Sequence, residues 1–360
     1  MTKVAVAVSG GVDSSAAALL LKEAAYEVLG IHMHLWESPP LDYQAHRAEN
    51  ICRILGIPYH QVDLQKEFES CVVDYFCQEY QQGRTPNPCV ACNHYVKFGL
   101  LLDKALSLGA DYLATGHYAK VEHSHDGHRL FKAADTRRDQ SYFLYTLTQE
   151  KLGRVLFPLG EHSRDEVKQM AKQAGLPTAT KSSQDICFIS QKNYGAFLSQ
   201  RFSTLPGDIV DTQGKKLGQH RGIAFYTIGQ RHGLGLASGK PLYAIRIEPE
   251  SNRIVLGPEK ELYSQKLTAR KLSWISGKSP REPITARAKI RYKSKEAEAI
   301  LFPCDDSVDV HFTQPQKAVT PGQAIVFYNL DEILGGGIIE SSQPITQDDE
   351  KESFASVSKP

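Results

Sequence analysis

The residues Ser9-Gly10-Gly11-Val12-Asp13-Ser14-Ser15 lie between an apolar run, Val4 to Val8, and an Ala/Leu-rich segment reaching about Ala25. The order reads as strand, glycine loop, helix. Five consecutive apolar residues, three of them β-branched, suit a parallel strand covered on both faces, and Ala16 to Lys22 has high helix propensity. Two glycines let backbone N–H groups approach an anion, Ser9, Ser14 and Ser15 offer hydroxyls, and the helix N-terminus lends its positive dipole end. The expectation is a phosphate site on an α/β domain with a mostly parallel sheet.

Asp13 narrows the chemistry. The common nucleotide loop carries a lysine that reaches the β- and γ-phosphates, and this loop has none. A carboxylate beside a polyphosphate requires a bridging cation, so Mg²⁺ at Asp13 is expected. The pattern resembles the loop of N-type ATP pyrophosphatases, which implies ATP held by Ala7, Val8, Ser9, Gly10, Gly11, Val12, Asp13 and Ser14. Met33, at the end of a second strand read at Val28 to Leu35, is placed to meet the adenine, and Gly116, after a fourth strand at Asp111 to Thr115, would let the backbone lie against the nucleotide.

With 360 residues and 41% hydrophobic content, two or three domains are expected. No apolar run approaches a membrane span and no signal-peptide pattern opens the chain, so a cytoplasmic protein without membrane contact is expected. Seven cysteines in a reducing compartment read as packing residues, nucleophiles or metal ligands. The domains are read as 1–202, an adenine-nucleotide α-hydrolase-like catalytic unit; 203–265, a small β-rich unit; 266–340, a barrel-like β unit; and 341–360, a disordered tail. Within the first, a third strand is read at Tyr59 to Leu64, helices at Gln44 to Leu55, Phe68 to Tyr80 and Val96 to Leu108, and a loop at Gly83 to Asn93. His123 to His128 reads as a polar hairpin tip, and Lys181 to Asp185 as a polar loop entering an apolar segment.

Cys89 and Cys92 have metal-ligand or redox spacing, but zinc would need four ligands and no second pair follows. If Cys187 folds back beside them, three thiolates could hold an iron–sulfur cluster with one iron open, or two could serve as nucleophile and sulfur carrier. Here the sequence resembles the tRNA-specific 2-thiouridylase family nearly throughout, to about Ile339. The likeness is carried by Ser9 to Ser14, Gly83 to Pro88, Cys92-Asn93, Thr115 to Ala119, Asp139 to Phe143, Ile186 to Phe188, His220 to Gly222, Phe225 to Arg231 and Thr320 to Gln323.

The resemblance implies thiolation at C2 of the wobble uridine of tRNA, with ATP consumed to AMP and pyrophosphate and sulfur delivered by a donor protein such as a cysteine desulfurase or relay. By position, Cys92 is the implied nucleophile and Cys187 the persulfide carrier. Asn87, Pro88 and Cys89 would border the target base, and His117, Arg138, Asp139, Gln140, Arg291, Tyr292 and Gln323 would meet tRNA. Some relatives have Asp at position 89; Cys89 here keeps a 4Fe-4S cluster on Cys89, Cys92 and Cys187 open beside the persulfide route. Two further departures are the short link between Trp36 and Tyr43 and Asp185 before Ile186.

Net charge is only +1, so RNA binding must rest on local charge. From Lys266 through Lys295 the chain carries ten Lys or Arg against Glu282 alone. With Trp274 and Tyr292 nearby, this segment suits phosphate tracking and stacking. Two rivals stay open at this point: a synthetase or amidotransferase using the same loop, and an RNA-binding protein that does no chemistry.

Overall fold

The computed structural model describes residues 1–36, 43–177, 186–189, 193–236 and 239–344. The polar loop at Lys181 to Asp185, most of the link after Trp36, and the tail beyond 344 lie outside the described residues.

The N-terminal unit contains β1 Lys3–Ala7, β2 Glu27–His34, β3 Tyr59–Asp63 and β4 Tyr112–Ala114, then a hairpin of β5 Ala119–Ser124 and β6 Gly127–Lys132, then β7 Val155–Leu156. β1, β2, β3, β4 and β7 form a parallel sheet in the order β3-β2-β1-β4-β7. The alternation along β1 explains its unbroken apolar run. Val4, Val6 and Val8 pack with Ala16, Ala17 and Leu21 of helix Val12–Glu23, while Ala5 packs on the opposite face with Leu29 and Ile31. Chain order reverses between β1 and β4, and in open parallel sheets ligands collect at the carboxyl ends of strands at such a point.

The central unit is a four-stranded sheet of β8 Gly207–Asp211, β9 Lys216–His220, β10 Tyr243–Glu248 and β11 Arg253–Gly257. Six antiparallel strands follow: β12 Tyr263–Trp274, β13 Ile284–Lys289, β14 Ala297–Pro303, β15 Ser307–Lys317, β16 Ala324–Asn329 and β17 Glu332–Pro344. They close into a barrel when β12 pairs with both β15 and β17. Leu267, Ala288, Leu301, Val310 and Phe327 fill its interior. The architecture expected from the sequence, a parallel α/β unit followed by two β units of which the last is a barrel, is the one observed. No helix among the described residues is long and apolar enough to cross a membrane.

Two local expectations need correction. The stretch from Pro88 to Asn93 is helical: Pro88–Ala91 runs on through Cys92–Leu101 and Leu102–Ser107. Asn87 caps this helix and Pro88 fills a first-turn position, where a missing N–H costs nothing. Both residue types also mark loops, hence the misreading. The tail expected from Ser341 begins as strand, since Ser341, Ser342 and Gln343 pair with Thr268, Leu267 and Lys266 to close the barrel. The polar hairpin tip expected at His123 to His128 is present, and farther along the same hairpin β6 joins β17 through Phe131 and Glu332, which attaches the N-terminal unit to the barrel sheet.

Candidate active site

The glycine loop follows β1 at the carboxyl edge of the sheet. Gly10 adopts φ +77°, and a Cβ there would come within 2.9 Å of Arg47 Cβ, so only glycine fits the turn. Gly11 caps the first helix. The Ser14 hydroxyl donates to Gly11 O at 3.0 Å and lies 3.2 Å from Ser9 Oγ. Ser15 is fully buried with its hydroxyl donating to the same carbonyl, so it shapes the loop and offers no free donor to a phosphate. Gly116, beyond β4, backs directly on this loop: a Cβ there would sit 2.8 Å from both Asp13 C and Ser14 N. Ala7 pairs with Ile31, which places half-buried Met33 two residues farther along the neighbouring strand at the same edge. Val8 and Val12 are buried beneath the loop.

Asp13 does not face solvent alone. Tyr118 Oη donates to its Oδ1 at 2.9 Å, and Arg164 Nη1 forms an ion pair with the same oxygen. Arg164 opens helix Arg164–Gln173, whose start is fixed by a capping box between Ser163 and Glu166.

The cysteines lie on the other side of Thr115 to Tyr118. Asn87 Oδ1 accepts from Cys89 N at 3.2 Å and Val90 N at 3.4 Å, which sets the helix start. Cys92 is buried, whereas Cys89 and Cys187 have exposed surface. Cys187 is seated by its neighbour Phe188, whose ring packs on Phe76 at 5.4 Å, Phe68 at 5.8 Å and Trp36 at 6.0 Å. This anchor brings Cys187 into electrostatic contact with both Cys92 and Cys89. Crowding by surrounding side chains, although the residue keeps exposed surface, and the neighbouring sulfurs raise the Cys187 thiol. Burial pushes Cys92 up to about 11, crowding by neighbouring side chains raises Cys89, and the Lys97 ammonium opposes the rise at all three. Among the described residues no three Cys, His, Asp or Glu side chains are grouped closely enough to hold one metal ion.

Lys97 was not singled out from the sequence for a geometric reason. Five residues after Cys92, it would lie about 140° away around an α-helix. The segment Cys92–Leu101 is instead a π-helix, whose i to i+5 bonding brings such pairs to one side. Lys97 Nζ also lies 3.5 Å from His117 Nε2. Tyr118 was legible only as part of a motif, and Arg164 only as a residue of a capped helix.

His117 is buried, with Nδ1 2.7 Å from Thr115 Oγ1, and desolvation holds its pKa well below the usual histidine range. Asp139 is buried too and accepts from Ala133 N, Ser141 N and Ser141 Oγ. In this conformation both present little surface to an RNA and order the loops around them. Gln140 Oε1 accepts from Tyr118 N at 3.0 Å, and Arg138 is half-buried beside it.

The barrel closes the site from above. Tyr292 packs on Phe143 at 4.4 Å, near enough to feel Asp139, Arg138 and Cys89, and the Lys289 ammonium lies over its ring at 5.9 Å. Arg291 donates to Lys317 O, while Lys293 and Lys295 stand exposed on the same turn. Gln323 Nε2 donates to Thr85 O at 2.8 Å and Pro86 O at 3.3 Å, just before Asn87. Thr85 N donates to Pro321 O at 2.9 Å, and Thr85 Oγ1 lies 3.3 Å from Thr227 Oγ1 of the central unit. Thr85 is therefore touched by all three units.

Residues 2–191 match a family model described as tRNA methyl transferase HUP domain, 195–258 its PRC-barrel domain, and 264–339 an aminomethyltransferase β-barrel domain. The tRNA-specific 2-thiouridylase of Acetivibrio thermocellus is 47% identical over 357 residues, covering 94% of this chain and 99% of the relative. That of Halothermothrix orenii is also 47% identical over 357 residues, covering 95% and 100%. Among solved structures, the U34-tRNA thiolase from Methanococcus maripaludis with its 4Fe-4S cluster aligns with a TM-score of 0.36 and 20% identity over 56% of this chain and 64% of that one, too distant to bear on the chemistry here. Matched across all three of its units and at nearly half of its positions, the chain belongs to the tRNA-specific 2-thiouridylase family.

Proposed function

We propose that this chain is a tRNA 2-thiouridylase that adenylates the C2 oxygen of the wobble uridine with ATP and replaces it with sulfur. The observation that carries the reading is the continuity of Thr115 to Tyr118: Gly116 and Tyr118 touch the Asp13 loop, and His117 touches Lys97, the ammonium facing all three cysteines. In this reading an adenylating site and a sulfur site are two sides of one segment. A rival without chemistry, or one delivering nitrogen, has no use for that arrangement.

In this reading Ala7 to Ser14, Met33 and Gly116 hold ATP. Asp13 is the residue that would hold Mg²⁺, which neutralises charge on the departing pyrophosphate. The uridine, flipped from the anticodon loop, lies by Asn87, Pro88 and Cys89 with Tyr292 beside it. Its C2 oxygen attacks the α-phosphorus and pyrophosphate leaves. The terminal sulfur of a Cys187 persulfide attacks C2 and AMP leaves with the oxygen. Cys92 thiolate then attacks the Cys187 sulfur, releasing 2-thiouridine and leaving a Cys92–Cys187 disulfide, which a dithiol reductant must reopen. A sulfur-donor protein of the cysteine desulfurase or relay class recharges Cys187. The exposed cations at Arg287, Lys293 and Lys295, with Arg138 and Arg291, support tRNA held along the barrel. A tRNA substrate and catalysis by free thiols favour a reducing, cytoplasmic setting.

A 4Fe-4S cluster on Cys89, Cys92 and Cys187 is the second reading, favoured by the shared neighbourhood of the three thiols. They are not grouped within reach of one metal, so no step is routed through it. The test is Cys187→Ala assayed with tRNA, ATP and a persulfide donor, with iron and sulfide counted on anaerobically purified protein. The expected outcome is pyrophosphate release without 2-thiouridine, and wild-type activity in iron-free protein. Undiminished thiolation by Cys187→Ala would overturn the persulfide route, and activity that rises with bound iron would favour the cluster.

A further inference from the structure

We propose that Arg164 is the phosphate-binding cation of the nucleotide site, paired with Asp13 until Mg-ATP arrives and then turned to the triphosphate. The inference rests on the reading of Ser9 to Ser14 as the ATP loop. From Val4 to Leu21 the chain has no Lys or Arg, while the loop itself contributes the negative charge of Asp13. Backbone amides and a helix dipole alone would face a polyanion beside a carboxylate. The fold supplies the missing charge from another helix: Arg164 is at the first position of Arg164–Gln173, and its guanidinium reaches the loop with its side chain 15% exposed.

The delivery is rigid. Arg164 N donates to Asp135 Oδ2 at 3.2 Å, Asp135 Oδ1 accepts from Arg137 N at 3.2 Å, and the capping box of Ser163 and Glu166 fixes the helix start. The guanidinium also has donors to spare: it carries five N–H groups, and Nη1 is the nitrogen that faces Asp13 Oδ1. A planar fork of N–H groups, largely withdrawn from solvent at the mouth of an anion loop, matches the paired oxygens of a phosphate. Binding of Mg²⁺ at Asp13 and release of Arg164 to the phosphates are then one exchange, in which each charge finds a partner.

A purely structural ion pair between the two helices would behave differently, and binding separates the cases. Calorimetry with the non-cleavable analogue α,β-methylene-ATP plus Mg²⁺, and with adenosine, is run on wild type, Arg164→Gln and Arg164→Lys. Arg164→Gln is expected to weaken the analogue by at least about tenfold with adenosine affinity unchanged, and Arg164→Lys to fall between it and wild type. In nucleotide-free protein, Mn²⁺ followed by electron paramagnetic resonance is expected to bind Arg164→Gln more tightly than wild type, because Asp13 loses its competing cation and keeps only the Tyr118 hydroxyl. Analogue affinity within about twofold of wild type in Arg164→Gln, or an equal loss for adenosine, would overturn the assignment; unchanged Mn²⁺ affinity would overturn the exchange. Failure of wild type itself to bind the analogue would sink the nucleotide reading and this assignment with it.

Discussion

The Cys92 thiol offers the most quantitative test of the sulfur site. Burial pushes it up to about 11 from an ordinary 9.0, with Lys97 opposing and Cys89 adding to the rise. That difference corresponds to about 3 kcal/mol in favour of the neutral thiol and to roughly a hundredfold less thiolate at neutral pH. The folded value lies above the unfolded one, so this group favours the folded state below about pH 9, and its contribution is lost as pH rises from there toward 11. The assay is pulsed iodoacetamide labelling between about pH 7 and 11.5, read by mass spectrometry on the Cys92 peptide, with exposed Cys304 in the same digest as reference. The shape of the pH profile is read rather than the absolute rate, because burial also slows access. Labelling of Cys92 should keep climbing through pH 9 with its midpoint near 11, and Lys97→Met should move that midpoint higher. A midpoint at or below about pH 9 would refute burial as the dominant influence on Cys92, and a midpoint that Lys97→Met leaves in place would refute the assignment of Lys97 as the cation facing the sulfurs.

Two other substitutions probe the scaffold. Gly116→Ala places a Cβ 2.8 Å from Asp13 C and Ser14 N, backbone atoms at a helix start that cannot yield cheaply; a loss of about 1–3 kcal/mol in urea unfolding and weaker nucleotide binding are expected. Asn87→Ala removes the acceptor for Cys89 N and Val90 N, so a loss of about 1 kcal/mol is expected. Thiolation should fall further than that loss explains, because Cys89 and Cys92 ride on the first two turns of the helix that Asn87 caps, and comparing the unfolding midpoint with single-turnover rates checks it.

Legibility followed the range of the interactions. The phosphate loop, the parallel sheet and the β character of the barrel unit announce themselves through local pattern, which a single strand or helix expresses by itself. Polar pairing does not: Ser341 to Gln343 carry no apolar signal and become strand only because β12 needs a partner to close the barrel. Arg164 and Asp13 are set face to face by the packing of two helices distant in sequence, and nothing in either segment announces the other. The place of Cys187 depends on an aromatic nest of Trp36, Phe68 and Phe76, each of which reads by itself as ordinary core. The cysteine helix was misread because Asn87 and Pro88, strong turn formers, are equally strong helix starters.

The meeting of three units at Thr85 has a consequence for synthesis of the chain. The carbonyls of Thr85 and Pro86 are gripped by Gln323, a residue 238 positions after Thr85. At ribosomal speeds of roughly 5–20 residues per second, on the order of ten to fifty seconds separate the emergence of the cysteine helix from that of its clasp. Until then the glycine loop can fold and the thiols can exist, but the segment leading to Asn87 lacks its fastening. The order of translation thus withholds a finished sulfur site from any nascent chain whose barrel has not closed.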